Sequence, residues 1–322
     1  MLSYWIRKDG GGTVLERRET ERPVPENGMM LVRMTAASMN RGDLLGRSRR
    51  HCSDTARPAG LDGCGTVVEP GNSTFRVGER VMFRGPGLFA EFASVDPALA
   101  HRVPERLTDV QAAVIPGVYI TAFEALVQFG RVTAGDWVLL CGASSGVGVA
   151  ALQIARLSGA RVIATTGSAH KVDALAALGA EAVVQARGGA FADEVMRLTG
   201  GRGVDVSLNM VGGTAFPACV QVSAHFGRVV FVGYVDGQLQ AECDLSALHA
   251  RRMMICGTSN APLSPLQRAE ASRAFERAVM PALASGQIVP VIDRVYSFDR
   301  ISEAKDYVET DQHLGKVVVS IP

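Results

Sequence analysis

The residues best suited to chemistry lie in mid-chain, in the run CGASSGVGVAALQIA that starts as the apolar stretch WVLLC (137–141) ends. Gly142, Gly146 and Gly148 stand in a GxxxGxG spacing, so the turn Gly142-Ala143-Ser144-Ser145-Gly146-Val147-Gly148 can carry the chain sharply from a strand into a helix. Without Cβ atoms such a turn lets a pyrophosphate reach the helix N-terminus, where free N–H groups and the helix dipole favour an anion. Ala150, Ala151 and Ala155 keep the helix thin enough to lie close to a sheet. The end of the next strand decides which dinucleotide binds. An NAD site would place an acid there, about 20 residues past the glycines, to accept from the ribose 2′-hydroxyl. Here the chain reads Thr165-Thr166-Gly167-Ser168-Ala169-His170-Lys171, with no acid before Asp173. Thr166 closes the strand, Ser168 offers a hydroxyl and Lys171 a cation, which suit a 2′-phosphate. Arg187, after the third strand, is a second cation. NADPH is therefore the expected cofactor. Lys171 stands out because the chain has only four lysines.

The elements that must position this turn form an alternation. WVLLC, a helix over 146–157, RVIAT (161–165), a helix through HKVDALAALG, AVVQ (182–185), a helix near 190–199, VDVSL (204–208), a helix near 214–224, RVVFVG (228–233) and MMICGTS (253–259) follow one another. Continuous apolar strands separated by helices imply a parallel sheet covered on both faces. The expected fold class is α/β, with a doubly wound dinucleotide-binding domain over 116–262. The first hundred residues read instead as short strands between Gly, Pro, Asn and Asp, among them MMLVRMTAAS (29–38), GTVVEP (65–70), ERVMF (79–83) and FAEFASV (89–95), which suggests a compact β-rich domain. After a helix near 264–284 the tail holds two strands and a helix, too little to bury a core alone. The second expected domain therefore joins 1–115 with 263–322.

Composition excludes several classes. Apolar residues make up 47% and charged ones 20%, which rules out a disordered or fibrous chain. A net charge of +1 gives no general attraction to nucleic acid or an anionic membrane. The start, MLSYWIRKDGGG, is charged and glycine-broken, so neither signal peptide nor anchor is expected, and the location expected is the cytoplasm. Six cysteines are scattered with no CxxC pair, as for reduced thiols.

The segments AASMNRGDLLGR (36–47), GLDGCGTV (60–67), AAVIPGVYITAFEAL (112–126), CGASSGVG (141–148), LGAEAVV (178–184), VIDRVYSFDRISEAKDYVE (291–309) and GKVVVSI (315–321) together resemble the zinc-independent quinone oxidoreductases of the medium-chain dehydrogenase/reductase superfamily, most of all the p53-inducible type. The resemblance implies a GroES-like catalytic domain joined to the Rossmann domain. It also implies roles. Asn40 and Asp43 would lie beside the nicotinamide ribose and Thr121 at the nicotinamide end. Main chain at Val232–Gly233 and Gly257–Thr258 would line the cofactor, and Lys316 would close over it. Zinc-dependent relatives carry a Cys near Asn40 and a His-Glu pair where this chain has Gly60-Leu61-Asp62, so no metal is expected. The chain departs from the family at Ala186, Asn209 and Ser259-Asn260-Ala261-Pro262, and offers Arg49, Arg50 and His51 where a substrate-facing Tyr is common.

Hydride transfer from NADPH to a quinone is the leading expectation. An enoyl or 2-alkenal reductase acting on an α,β-unsaturated carbonyl or thioester is the alternative, and an NADPH-binding protein without turnover is the third. A homodimer is expected, joined through the strand near Met253–Thr258, because an unpaired apolar edge invites pairing.

Overall fold

The computed structural model describes residues 1–10, 12–44 and 55–322. They divide into two compact units, Met1–Gly117 with Arg268–Pro322, and Val118–Gln267.

The chain opens on a hairpin of β1 (Leu2–Asp9) and β2 (Gly12–Glu19). Its apolar run is short: Tyr4 and Ile6 are buried on either side of half-buried Trp5, Leu15 pairs with Ile6, and charged residues follow on both strands. There follow β3 (Met30–Ser38), α1 (Arg41–Leu44), β4 (Arg57–Pro58), β5 (Asp62–Glu69), β6 (Arg80–Arg84), β7 (Phe92–Val95), β8 (Ala100–Arg102), α2 (Asp109–Ala112) and α3 (Ile115–Phe123). The second unit carries β9 (Trp137–Cys141), α4 (Gly146–Leu157), β10 (Arg161–Thr166), α5 (Val172–Ala177), β11 (Ala182–Gln185), α6 (Ala192–Leu198), β12 (Val204–Asn209), α7 (Phe216–Gln221), β13 (Ser223–Phe231), α8 (Leu245–Ala250) and β14 (Met254–Gly257). The chain ends with α9 (Pro265–Ser285), β15 (Ile292–Ser297), α10 (Ile301–Glu309) and β16 (Lys316–Ser320). The strand expected at 228–233 starts earlier, at Ser223, and the helix before it is correspondingly short.

In the first unit seven strands form one sheet, ordered β15-β16-β3-β5-β6-β8 with β7 also on β3. β16 runs antiparallel to β3, pairing Val318 with Ser38, and β5 runs antiparallel on the other side, pairing Asp62 with Ser38. The end of β3 and the starts of β5 and β16 therefore meet at one edge of the sheet. The core beneath joins Met30, Val32 and Phe83 to Phe298, Ile301 and Val317, so the tail shares this unit's interior.

The second unit is a six-stranded sheet in the order β11-β10-β9-β12-β13-β14, every pairing parallel. β9, first in the chain among these, lies beside β12, and the strand order reverses there. In open parallel sheets ligands bind at such a switch point, off the strands' C-terminal ends. Trp137, Leu139, Ile163 and Val229 build its core with Phe191 and Cys219.

Candidate active site

Two groups of polar residues stand out, one in each unit. In the second unit the turn after β9 folds as its glycines require. Gly142 adopts φ +85°, a left-handed conformation that glycine takes without a Cβ clash. A Cβ on Gly148 would lie 2.6 Å from the Ala143 backbone, so only glycine lets the first turn of α4 close over the strand end. Ser145 is the N-cap. Its Oγ accepts from the Gly148 N–H at 3.1 Å and donates to the Gly142 carbonyl at 2.9 Å. Gly142, Ser144, Ser145, Gly146 and Val147 remain partly exposed, whereas Ala143 and Gly148 are buried. The result is an open helix N-terminus at the switch point, as a pyrophosphate needs.

The turns after β10 and β11, where the sequence reading expects the 2′-phosphate, lie side by side. Thr166 is buried, and its Oγ1 accepts from the Ser168 N–H at 3.3 Å. A Cβ on Gly167 would stand 3.0 Å from the guanidinium carbon of Arg187, so that exposed cation lies over the turn next to Ser168. Lys171, expected at the same phosphate, is only 4% exposed and already engaged in an interaction of its own. The accessible cation at this turn is thus Arg187. Val232 and Gly233 follow β13 and donate to the Asn209 carbonyl at 2.8 and 3.2 Å. Gly257 ends β14, and Thr258 donates to the Phe231 carbonyl at 2.9 Å. All these segments leave the sheet at its C-terminal edge. The residues present therefore fit a dinucleotide. Thr121, on α3, has its Oγ1 3.5 Å from the Asn260 amide nitrogen, a partner the sequence does not reveal.

In the first unit the sheet edge described above brings Asn40 and Lys316 together across the length of the chain. The Lys316 ammonium donates to Asn40 Oδ1 at 2.6 Å and to the Met39 carbonyl, and Asn40 Nδ2 donates to Asp62 Oδ2 at 2.5 Å. Asp62 and Lys316 are 1% and 5% exposed, while Asn40 is partly exposed. Asp62 has no role in the sequence reading. The available signal is an acid at the start of an apolar strand, which once buried requires a donor. Asp43 lies in α1, but its side chain, like Arg49, Arg50 and His51, falls outside the described residues. Among the described residues no group of three or more His, Cys, Asp or Glu side chains could hold a metal ion.

Comparison with known proteins gives these sites a family. Residues 26–105 match the alcohol dehydrogenase GroES-like domain, and residues 146–275 match the zinc-binding dehydrogenase domain. The chain belongs to the medium-chain dehydrogenase/reductase superfamily of NAD(P)-dependent oxidoreductases. It is 34% identical, over 98% of its length, to a mycocerosic acid synthase-like polyketide synthase of Mycobacterium tuberculosis, of which it covers 15%. It spans 12–15% of the length of the curated relatives it matches. Among solved structures, mycobacterial Rv1454c complexed with NADPH superposes with a TM-score of 0.89 at 27% identity, covering 99% of this chain and 100% of that one. The CurK enoyl reductase gives 0.84 at 25% identity, with 99% of each chain covered. A quinone oxidoreductase of Pseudomonas syringae gives 0.86 at 25%, covering 99% of this chain and 100% of that one.

Proposed function

We propose that the chain is an NADPH-dependent enoyl reductase that saturates the α,β-double bond of a thioester-linked acyl group. The observation that carries this reading is the likeness, along nearly the whole chain, to a segment of polyketide synthases, supported by the CurK enoyl reductase among its structural neighbours. It favours the enoyl alternative over the quinone acceptor. When bound, NADPH supplies a hydride, two electrons that add to the β-carbon while the α-carbon takes up a proton.

The chain's own residues bind and orient. The N–H groups at the start of α4 hold the pyrophosphate, with Ser145 fixing that turn. Ser168 and Arg187 select the 2′-phosphate. Asn40, held between Asp62 and Lys316, serves the reacting end.

A quinone acceptor is the second reading, favoured by the Pseudomonas syringae neighbour. NADPH oxidation measured in parallel with crotonyl-CoA, 2-alkenals and ortho- and para-quinones separates the two. The expected result is a kcat/KM at least tenfold higher for the thioester, and a quinone preference would reverse the assignment.

A further inference from the structure

We infer that Asp62 and Lys316 are positioning residues of the reduction: their opposed charges lock the Asn40 amide in one orientation and polarise it, so that its remaining N–H is presented as a directed donor. The inference rests on the reductase reading above. An ammonium carries only donors and a carboxylate only acceptors, so an amide between them has a single satisfactory orientation. Oδ1 must face Lys316 and Nδ2 must face Asp62, and the structure has both at 2.6 and 2.5 Å. Flipping the amide would lose both hydrogen bonds at once. Among the described residues one N–H of Nδ2 is left over, and Asn40 is the only partly exposed member of the three. Two buried charges thus act outward through one neutral group.

The hydrogen bond to Asn40 alone does not account for the carboxylate. Burying a charge is costly, and an amide of the same shape at position 62 would accept the Asn40 hydrogen bond without it. The other oxygen of Asp62, Oδ1, has no hydrogen-bond donor among the described residues and stands 3.9 Å from the Arg84 guanidinium. Gly117 packs closely against the carboxylate and makes room for it, since a Cβ there would come within 2.2 Å of Asp62. A donor held and polarised in this way suits an oxygen that gains negative charge during the reaction, here the carbonyl oxygen of the acceptor as hydride arrives.

The test is the pair Asp62→Asn and Lys316→Gln, each of which keeps a hydrogen-bonding partner for Asn40 and removes one charge. Thermal melting establishes that each is folded, and the dissociation constant for NADPH is measured without turnover. With crotonyl-CoA at saturating NADPH, kcat should fall at least tenfold in each variant, while the acceptor KM and the NADPH dissociation constant stay within threefold. The double variant should be no slower than the worse single one, because the charges act on one amide. Should Asp62→Asn fail to fold, Lys316→Gln reads the same chain from its other end. A kcat within twofold of wild type in a folded variant would overturn the proposal. So would a tenfold loss of NADPH affinity with kcat unchanged, which assigns the chain to cofactor binding. A wild-type protein that binds NADPH but reduces no acceptor would overturn the functional reading itself, and this inference with it.

Discussion

Arg187 and Lys171 illustrate how burial reorders two cations that look alike on paper. Both follow strands at the proposed ribose end, yet Lys171 is buried and Arg187 lies exposed over Gly167 beside Ser168. A charge-assisted bond to a phosphate contributes about 1–3 kcal/mol. Arg187→Ala should therefore weaken NADPH by roughly that amount and leave NADH nearly unchanged, as isothermal titration with the two cofactors would measure. Equal loss for both would remove Arg187 from 2′-phosphate recognition. Lys171→Ala should instead lower the melting temperature, because it leaves the groups around a buried ammonium without their partner.

The helix α4 depends on its first turn. Gly148→Ala places a Cβ against the Ala143 backbone, and overpacking of this kind costs about 1–3 kcal/mol. Loss of dinucleotide binding should accompany the lower stability, since the displaced turn is the proposed phosphate cradle; calorimetry and cofactor titration read the two effects. A second junction, between β8 and α9, is pH-sensitive. His101 is buried, with Nε2 2.9 Å from Ser272 Oγ and Nδ1 3.7 Å from a Glu276 carboxylate oxygen. Burial pushes its pKa below the usual histidine value and outweighs the opposing pull of Glu276. The folded state thus keeps His101 neutral where the unfolded chain takes up a proton. This contribution to stability is complete above the unfolded value of about 6.5 and is lost as pH falls through the folded one. Melting temperatures across that range should decline toward acid in wild type and decline less in His101→Gln.

The exposed edge of the second unit bears on assembly. β14 ends the six-stranded sheet, and Met254 and Ile255 are 46% and 38% exposed on it. Pairing this edge with its two-fold mate would satisfy its free backbone groups and cover those side chains. Sedimentation should show a dimer, and Ile255→Lys should shift it toward monomer; a concentration-independent monomer in wild type would end the idea. No helix among the described residues is long and apolar enough to cross a membrane. The zinc-binding dehydrogenase match raises the question of metal dependence. With Asn40 and Asp62 already bonded to each other, dialysis against a chelator should leave activity unchanged. Loss of activity that zinc restores would refute that expectation.

The α/β class and the dinucleotide turn were legible in the amino-acid order because they are local. Strand–glycine–helix spacing and apolar alternation are properties of neighbours, and the structure has Gly142 and Gly148 where that geometry requires them. The β1–β2 hairpin escaped, because short alternating stretches with charged partners carry little contrast. Long-range juxtaposition was decided by tertiary structure alone. Asn40, Asp62 and Lys316 meet only because β5 and β16 flank β3 in antiparallel register, a pairing no spacing encodes. Burial likewise separated Lys171 from Arg187. A sequence lists charges, but which of them reach solvent depends on what the rest of the chain packs over them.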